Sequence, residues 1–382
     1  MPEHAEATWA LCIPTINRLD VLKMCVRCAL GQTKPPIEIS IADASEAWET
    51  NREAISRLIG NQPVRLFYEE ATAKSSAVQR NQAASHVTAD ILFFFDDDAL
   101  MHATCAEELM SVYAADPDRR ISAAAGIHDH RIPTDSDFSD ARPGSTPAED
   151  IEAEPHVPVK RKGFLTNNQM AFQRFMMGAG LMRFIQREIF MMSMERMFIP
   201  YDEHRPHSDD RLPAAMEGAN VRSVHHLPGF SMTVRRNIFE REPFNPHLLA
   251  YCPTEDLDVS YRWGRYGMAL ICRNAKVHHY EVAASRVTRH QATLLGILNS
   301  AFFTRINSDA PVKHILHYYV LTIRRTFGEF LKDILTARLT FPQTRGAAFG
   351  LFRSIWIFRR SGDSLIEWYM GEQWRILKSK PS

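Results

Sequence analysis

The chain has 382 residues, a formal net charge of zero and a hydrophobic fraction of 45%. This length allows one large domain or a domain with an appendage, and the neutral balance argues against binding to nucleic acid through bulk charge. Residues 1–10 are too polar for a signal peptide, no apolar run reaches the ~18 residues of a membrane span, and six Cys are scattered along the chain. We therefore expect a cytoplasmic protein with reduced thiols.

The first third of the chain alternates short apolar segments with segments of helical spacing. Strands are predicted at residues 9–13, 37–42, 64–68 and 91–95, and helices at residues 19–30, 50–59 and 75–86. This order predicts a parallel, right-handed α/β layer, whose ligands bind at the carboxyl ends of the strands. Neither GxGxxG nor GxxxxGKS/T follows any of these strands, which argues against a dinucleotide site and a P-loop.

Three carboxylates, Asp96, Asp97 and Asp98, directly follow the apolar run at residues 91–95. An apolar run of this kind is typical of a strand that is buried on both faces. Adjacent carboxylates repel one another, whereas a hard cation such as Mg²⁺ binds one or two carboxylates together with water and phosphate oxygens. A metal site is therefore the preferred interpretation, and a cap on a following helix is the alternative.

Other polar residues stand at the ends of predicted strands in the same layer. Thr15, Asn17 and Arg18 follow the first strand, and Asp43 follows the second. We expect these residues and the three adjacent Asp to line one crevice. Taken alone, Asp43 would be interpreted as a turn residue and Arg80 as part of a solvated helix face.

The middle of the chain is less regular. A fifth strand is predicted at residues 121–126. Residues 134–158 are rich in Pro, Ser, Asp and Glu and poor in apolar residues, which predicts a flexible acidic loop. A lid that closes over a bound ligand is the second interpretation of this loop.

Residues 251–263 carry the next informative pattern. Pro253 and Thr254 can start a helix with Thr254 as its cap, so that Glu255 and Asp256 lie in the first turn. Acids in this position also interact favourably with the helix dipole, which is the alternative explanation for them. A turn and a strand are predicted at residues 267–277, followed by His278 and His279.

The last hundred residues differ in character. From Ala283 onward there are fifteen Lys and Arg against six Asp and Glu. Apolar residues recur with helical spacing through residues 315–334, and residues 347–358 are apolar and aromatic. The pattern predicts either a helical appendage packed on the rest of the protein or a basic amphipathic surface on anionic lipid.

Four motifs together resemble the nucleotide-sugar-binding half of family 2 glycosyltransferases, which have the GT-A fold. They are Cys-Ile-Pro-Thr-Ile-Asn-Arg at 12–18, Ile-Ala-Asp-Ala-Ser at 41–45, Gln-Arg-Asn-Gln-Ala-Ala at 79–84 and Phe-Phe-Asp-Asp-Asp at 94–98. Residues 225–236 resemble the glycine-containing segment of the family that borders the acceptor and the donor sugar. Many relatives carry Gly where Lys74 stands, so the loop around this residue is expected to differ.

The resemblance implies roles for individual residues. Asp43 would bond the nucleotide base, Arg80 would lie near the base or the diphosphate, Asp96 would hold the ribose, and Asp98 would coordinate a metal. The implied nucleotide-sugar site comprises Pro14, Thr15, Asn17, Arg18, Asp43, Arg80, Asp96, Asp97 and Gly229. The implied metal site comprises Asp98, Asp96 and one of the two histidines His278 and His279.

A further match implies the catalytic base. Thr254-Glu255-Asp256 matches the Thr-Glu-Asp of processive relatives such as cellulose synthases. The resemblance therefore implies that Asp256, with Glu255 as the second candidate, accepts a proton from the acceptor.

The resemblance covers roughly residues 8–281 and implies an inverting, metal-dependent glycosyltransferase. Its expected partners are Mn²⁺ or Mg²⁺, a UDP-sugar donor, and a glycan or lipid-linked acceptor in the synthesis of polysaccharide, glycolipid or cell-surface glycan. One alternative is a sugar-phosphate nucleotidyltransferase, which would be expected to carry a Gly-rich basic loop that residues 14–18 lack. The other is an inactive membrane-associated scaffold of the same fold, against which the intact Asp98 and Asp256 argue.

The expected fold class is α/β, with a mostly parallel GT-A type sheet flanked by helices and a C-terminal helical extension. The catalytic domain would span residues 1–282, with the nucleotide-sugar half at 8–126, the acidic loop at 134–158 and the acceptor and base half at 220–282. The basic extension would span residues 283–382. For the location of the whole protein, the second expectation besides the cytoplasm is a peripheral position on the inner face of the cell membrane.

Overall fold

The computed structural model describes residues 6–141, 211–250, 252–280, 287–335 and 338–379, together with residues 180, 184 and 185. These residues form two compact units. The first unit holds residues 6–141, 211–246 and 259–280, and the second holds residues 247–250, 252–258, 287–335 and 338–379.

The first unit alternates strands and helices through its N-terminal part, as predicted. Its elements up to residue 141 are β1 (Trp9–Thr15), α1 (Leu19–Leu30), β2 (Glu38–Asp43), α2 (Trp48–Ile59), β3 (Arg65–Glu70), α3 (Ser76–Ser85), β4 (Ile91–Phe95), β5 (Ala99–Met101), α4 (Cys105–Ala114), β6 (Ile121–His128) and α5 (Asp135–Ala141). After residue 210 follow β7 (Val221–Val224), β8 (Ser231–Arg235), α6 (Arg236–Phe239) and β9 (Met268–His279). The predicted strands and helices of this unit are confirmed to within two residues.

The strands form one nine-stranded sheet in the order β3-β2-β1-β4-β8-β6-β9-β5, with β7 paired to β9. Strands β3, β2, β1 and β4 are parallel, as the β-α-β order predicted. Beyond β4 the sheet is mixed, because β8 is antiparallel to both β4 and β6, while β6 and β9 are parallel. The α/β class with C-terminal helices is confirmed, and the uninterrupted parallel arrangement is limited to β3, β2, β1 and β4.

Strand β4 lies in the middle of the sheet between β1 and β8, and all five of its residues are buried. Phe93 stacks on Trp9 with 4.3 Å between ring centroids. The alternate residue Phe94 packs edge-on against Phe244, with 5.0 Å between centroids. Apolar side chains therefore cover both faces of the strand, which confirms the interpretation of its unbroken apolar sequence.

Two local predictions at the ends of β1 and β4 are corrected. β1 continues through Pro14 to Thr15 and pairs there with β2 alone, since its pairing with β4 covers only Trp9–Cys12. Pro14 is tolerated because its missing N–H is not required by a second neighbouring strand. The three Asp after β4 lead into β5, so the alternative that they cap a helix is wrong.

The predicted acidic loop lies mostly outside the described residues. Within it, residues 135–141 form the short helix α5, where a loop was predicted. Arg131 donates hydrogen bonds to both carboxylate oxygens of Asp137, at 2.7 and 2.8 Å, and this pair fixes the start of α5. Residues 142–158, and with them the prediction of a flexible lid, are not described.

The second unit contains the helices α8 (Arg289–Asn307), α9 (Pro311–Leu335), α10 (Pro342–Phe358) and α11 (Gly362–Lys378). Its α8 begins with a capping box, in which Thr288 and Gln291 bond each other's backbone N–H groups. The helix α7 (Glu255–Trp263) starts in this unit and ends in the first. Within the described part of the chain, no helix is both long enough and apolar enough to cross a membrane.

Thr254 does not cap α7 as predicted. It has a positive φ of 74°, and its buried hydroxyl makes no hydrogen bond. An N-cap residue has extended backbone angles and accepts a hydrogen bond from the first turn, so this prediction is wrong. A β-branched residue in the left-handed region is strained, which means that the surrounding structure holds this turn in place.

Candidate functional site

Asp97 is buried, and both of its carboxylate oxygens accept hydrogen bonds from the end of β1 and the loop after it. Thr15 Oγ1 donates a hydrogen bond of 2.7 Å to Asp97 Oδ2, and Arg18 Nη1 donates one of 3.0 Å to Asp97 Oδ1. Arg18 Nη1 also lies 3.7 Å from Asp98 Oδ2. The loop after β1 is thus tied to the end of β4, as expected from two neighbouring parallel strands that end at the same edge.

Asp96 is held from the opposite side by α3. Arg80 Nη2 donates to Asp96 Oδ1 at 2.6 Å and to the carbonyl of Gly229 at 3.2 Å. The guanidinium carbon of Arg80 lies 5.2 Å from the centre of the Phe244 ring, a cation–π contact. Arg80 is 3% exposed whereas the Asp96 side chain is 29% exposed, so Asp96 presents the accessible part of this pair.

Asp96, Asp98 and His279 form a group that could hold a metal ion, with one ligand atom from each lying within 4.8 Å of the others. Strand β5 pairs with β9 so that Ala99 lies opposite His279, and His279 Nε2 lies 3.2 Å from Asp98 Oδ1. The His279 ring stacks on Phe230 at 4.9 Å. Carboxylate oxygens are the donors that Mg²⁺ and Mn²⁺ prefer, so the set fits such a cation.

His278 takes a different position from its neighbour. Its Nδ1 lies 3.0 Å from the carbonyl oxygen of Asp129. Successive side chains of a strand point to opposite faces of the sheet, so only one of two adjacent histidines can face the acids. The described structure groups His279 with the acids.

Burial and mutual repulsion disfavour the charged forms of two acids in this cluster, Asp96 and Asp97. Burial raises the pKa of Asp97 to about 7, although Arg18 acts in the opposite direction. Burial also raises the pKa of Asp96, with Arg80 opposing this effect and Asp98 adding to it. Burial acts to lower the pKa of Arg18, but the negative charges of Asp97 and Asp98 together outweigh it, so that this pKa is raised. Arg18 and Arg80 therefore do not fully offset the burial and mutual repulsion of these carboxylates, and a bound divalent cation would stabilise their charged forms.

Asp43 is fully buried, and both of its oxygens already accept hydrogen bonds. Oδ1 accepts from the backbone and the hydroxyl of Ser45, and Oδ2 accepts from Asn51 Nδ2 at 2.8 Å and from Tyr68 Oη at 2.6 Å. In this structure Asp43 joins β2, α2 and β3. A nucleotide base would have to displace one of these donors to reach it.

The remaining residues predicted for the site lie around the same edge. Pro14 lies near the end of β1, where it pairs with Ala42 of β2. Asn17 has a left-handed φ of 54°, which Asn tolerates better than most residues. The Asn17 N–H donates to Ser45 Oγ at 2.7 Å, which links the loops after β1 and β2. Gly229 enters the site through its carbonyl, which accepts from Arg80.

Sequence reasoning missed three residues that shape the site. Gln79 Nε2 donates to the carbonyls of Thr15 and Ala42, each at 2.8 Å, and so ties the ends of β1 and β2 together. Phe230 stacks on His279, and His128 Nδ1 accepts from the His279 N–H at 3.2 Å. Gln79 opens the motif at residues 79–84, and Phe230 follows Gly229. No spacing in the sequence, however, indicates that these separate elements contact one another.

The predicted base residues lie in the second unit. Glu255 is buried, Asp256 is half-buried, and Asp256 Oδ1 accepts a hydrogen bond of 2.9 Å from the N–H of Leu257. Two neighbours of the pair are bound by α8, since Asn299 Nδ2 donates to the Pro253 carbonyl at 2.7 Å and Asn307 Nδ2 donates to Asp258 Oδ1 at 3.0 Å. The C-terminal helices thus order the segment that carries Glu255 and Asp256.

Comparison with known proteins agrees with this site at the level of the family. Residues 10–191 match the family model described as Glycosyl transferase family 2. No curated protein matches the chain significantly.

Two solved structures resemble the chain at a distance. The mannosyltransferase PcManGT from Pyrobaculum calidifontis, in complex with GDP-Man and Mn2+, is 13% identical with a TM-score of 0.48, over 98% of this chain and 82% of that one. GalNAc-T7 with UDP, GalNAc and Mn2+ is 14% identical with a TM-score of 0.45, over 79% of this chain and 51% of that one. Similarity at this level does not identify a substrate. The family match agrees with the resemblance seen in the sequence: residues 10–191 are similar to glycosyl transferase family 2.

Proposed function

We propose that the chain transfers a sugar from a nucleotide-sugar donor to an acceptor hydroxyl, with inversion at the anomeric carbon and with the help of a divalent cation. The observation that carries the proposal is the group of Asp96, Asp98 and His279 at the end of β4, set between Arg18 and Arg80. A family 2 glycosyltransferase domain covers these acids and arginines. The family match favours this activity over a sugar-phosphate nucleotidyltransferase.

The chain's own residues would divide the work of binding the donor. Asp96, Asp98 and His279 would hold the cation. Arg80 keeps Asp96 in place, and its contact with the Gly229 carbonyl fixes the adjoining turn. When bound, the cation would neutralise negative charge on the nucleoside diphosphate as this group leaves.

Asp97 would have a positioning role. Both of its oxygens are engaged, one by Thr15 and one by Arg18. Its contacts therefore fix the loop after β1 against the acid cluster. Asn17 and Arg18 in this loop would contact the nucleotide, and Asp43 would support the neighbouring loop through Ser45.

The acceptor hydroxyl is a weak nucleophile and needs a base to take its proton as the new bond to the anomeric carbon forms. We assign this role to Asp256, with Glu255 as the second candidate. The transition state resembles an oxocarbenium ion, and attack from the side opposite the diphosphate inverts the anomeric centre. The electron pair of the broken bond leaves with the diphosphate.

A donor screen tests the proposal. UDP- and GDP-sugars, each with Mn²⁺ or Mg²⁺, are scanned for thermal stabilisation of the full chain; a UDP-sugar is the expected ligand. A ligand at a hundred times its Kd stabilises the folded state by about 2.7 kcal/mol. The hit is then incubated with glycan and lipid-linked acceptors, and product formation is followed by mass spectrometry. Absence of metal-dependent stabilisation by every nucleotide sugar would overturn the proposal.

A further inference from the structure

The helix α9 exposes an apolar stripe along its whole length. Its members are Val312, Leu316, Val320, Ile323, Phe327, Phe330 and Ile334. They are spaced by three or four residues, so they lie on one face of the helix. Val312 is 74% exposed and Phe327 is 61% exposed, although large apolar side chains are more often buried in folded proteins.

The next helix, α10, also exposes apolar residues. They are Phe349, Phe352, Ile355 and Trp356, and Phe352 is 70% exposed. Contiguous exposed apolar surface of this kind marks a site of interaction with a protein or a membrane.

The two helices pack against each other through other residues. Tyr318 contacts Phe358 with 5.1 Å between ring centroids, and Gln343 Nε2 donates to Glu329 Oε2 at 2.9 Å. The two helices are therefore antiparallel: the first half of α9 lies beside the end of α10, and the second half of α9 lies beside the start of α10. Tyr318 and Glu329 are buried and lie off the apolar stripe, so the internal packing leaves the stripe uncovered.

The charged side chains that α9 and α10 themselves expose are all positive. Residues 310–362 contain two acids, Glu329 and Asp333, and both are buried. Glu329 pairs with Arg325, and Asp333 accepts hydrogen bonds from the backbone and hydroxyl of Thr344. The charged side chains that α9, α10 and the residue after α10 expose are Lys313, Arg324, Lys332, Arg345 and Arg359.

We propose that the exposed surface of α9 and α10 is a peripheral binding surface for an anionic lipid bilayer. Helices that lie in a membrane interface combine an apolar face with Lys and Arg. The apolar side chains would enter the region between headgroups and acyl chains, and Trp356 would lie at the headgroup level, where Trp is favoured. The cations would contact lipid phosphates.

The charge pattern favours lipid over a second copy of the chain. In a two-fold symmetric dimer the same surface meets itself, so that the exposed cations of α9 and α10 would face one another, and neither helix exposes an acid to pair with them. Like charges across an interface oppose association. An anionic bilayer supplies the missing negative charge and also the apolar phase.

Vesicle binding tests this surface without a donor or an acceptor, so its outcome is independent of the proposed sugar transfer. The full chain is mixed with vesicles of phosphatidylcholine alone, or of phosphatidylcholine with phosphatidylglycerol, and sedimented. We expect binding to the anionic vesicles only, and its loss as salt is raised, because exposed charges are screened. Arg324→Gln should weaken binding about fivefold, the effect of roughly one surface cation.

The apolar contribution is tested with the double variant Leu316→Glu and Phe327→Glu. Both side chains are exposed, so the fold should persist, and thermal melting checks this. Ile37→Glu, a matched exposed position in the first unit, is the control and should bind like the unchanged chain. We expect at least a tenfold loss for the double variant.

Three results would overturn the proposal. The first is a full chain that ignores anionic vesicles at low salt. The second is a double variant that binds as well as the unchanged chain. The third is a full chain that is dimeric in analytical ultracentrifugation and becomes monomeric on the double substitution, which would identify the surface as a contact between copies.

Discussion

The end of β4 and the outer faces of α9 and α10 depart from an ordinary protein surface in opposite ways. At β4, carboxylates are withdrawn from water, with Asp97 and Asp98 buried and Arg18 and Arg80 beside them. On α9 and α10, large apolar side chains remain in water and only cations accompany them. Buried charge and exposed apolar surface are both unfavourable for the chain alone. Each arrangement would become favourable with its proposed partner, a cation at one and an anionic bilayer at the other.

The largest expected effect separates donor binding from proton transfer. If the acids after β4 only bind the donor and Asp256 is the base, Asp256→Asn should lower kcat by roughly 10²–10⁴, because the proton acceptor is lost. The Kd of the donor should not change. Initial rates at saturating donor, together with calorimetry of donor binding, measure the two quantities.

Glu255→Gln is the matched variant for this experiment. If it is inactive while Asp256→Asn turns over normally, the base is Glu255. If both variants are active, the two acids are partners of the helix dipole, and each substitution should cost only ~0.3–1 kcal/mol of stability.

The second effect concerns the acid cluster alone. Asp98→Asn keeps the side-chain shape and removes one charge from the group of Asp96, Asp98 and His279. Since loss of even an indirect metal partner weakens binding roughly 10–100-fold, we expect the affinity for a nucleoside diphosphate with Mn²⁺ to fall at least tenfold. Calorimetry with and without Mn²⁺ measures this loss. Asp129→Asn, in the same unit but outside the group, is the control, and an unchanged Mn²⁺ effect in Asp98→Asn would refute the metal assignment.

The third effect tests whether the C-terminal helices order the base segment. Asn299 is buried, its Nδ2 donates to the Pro253 carbonyl at 2.7 Å, and its Oδ1 accepts from the Tyr369 hydroxyl. Asn299→Leu leaves both partners unpaired, so the free energy of unfolding should fall by about 1–3 kcal/mol. Urea denaturation measures this change. Ser300→Ala, which removes a bond within α8 to Gly296, is the control and should have a smaller effect.

The smallest expected effect is a change in stability at the exposed stripe of α9, which is compared with a buried apolar position of the same helix. Leu316→Ala on the exposed stripe of α9 should change stability by no more than about 0.5 kcal/mol. Leu321→Ala, at a buried position of the same helix, should lower stability by roughly 2–5 kcal/mol. Comparable losses for both variants in thermal or urea denaturation would mean that the stripe belongs to the folded core and is not a free surface.

Much of the first unit could be predicted because its signals are local. The unbroken apolar run Ile91–Phe95 identified a doubly covered strand, and the alternation with helical segments gave the parallel order of β1 to β4. The placement of Thr15, Arg18 and Asp97 near one edge followed, since parallel neighbours end together. The helical spacing of residues 315–334 likewise identified α9.

The tertiary structure decided what depends on distant contacts. Only the pairing of β5 with β9 places His279 beside Asp98, and only its register distinguishes His279 from His278. The antiparallel insertion of β8 beside β4 and the complete hydrogen bonding of Asp43 likewise depend on partners far along the chain. Periodicity identified an apolar face on α9, but whether that face is buried depends on which other helices cover it. The sequence by itself therefore determined the chemistry that is present, whereas packing determined which groups meet and which remain exposed.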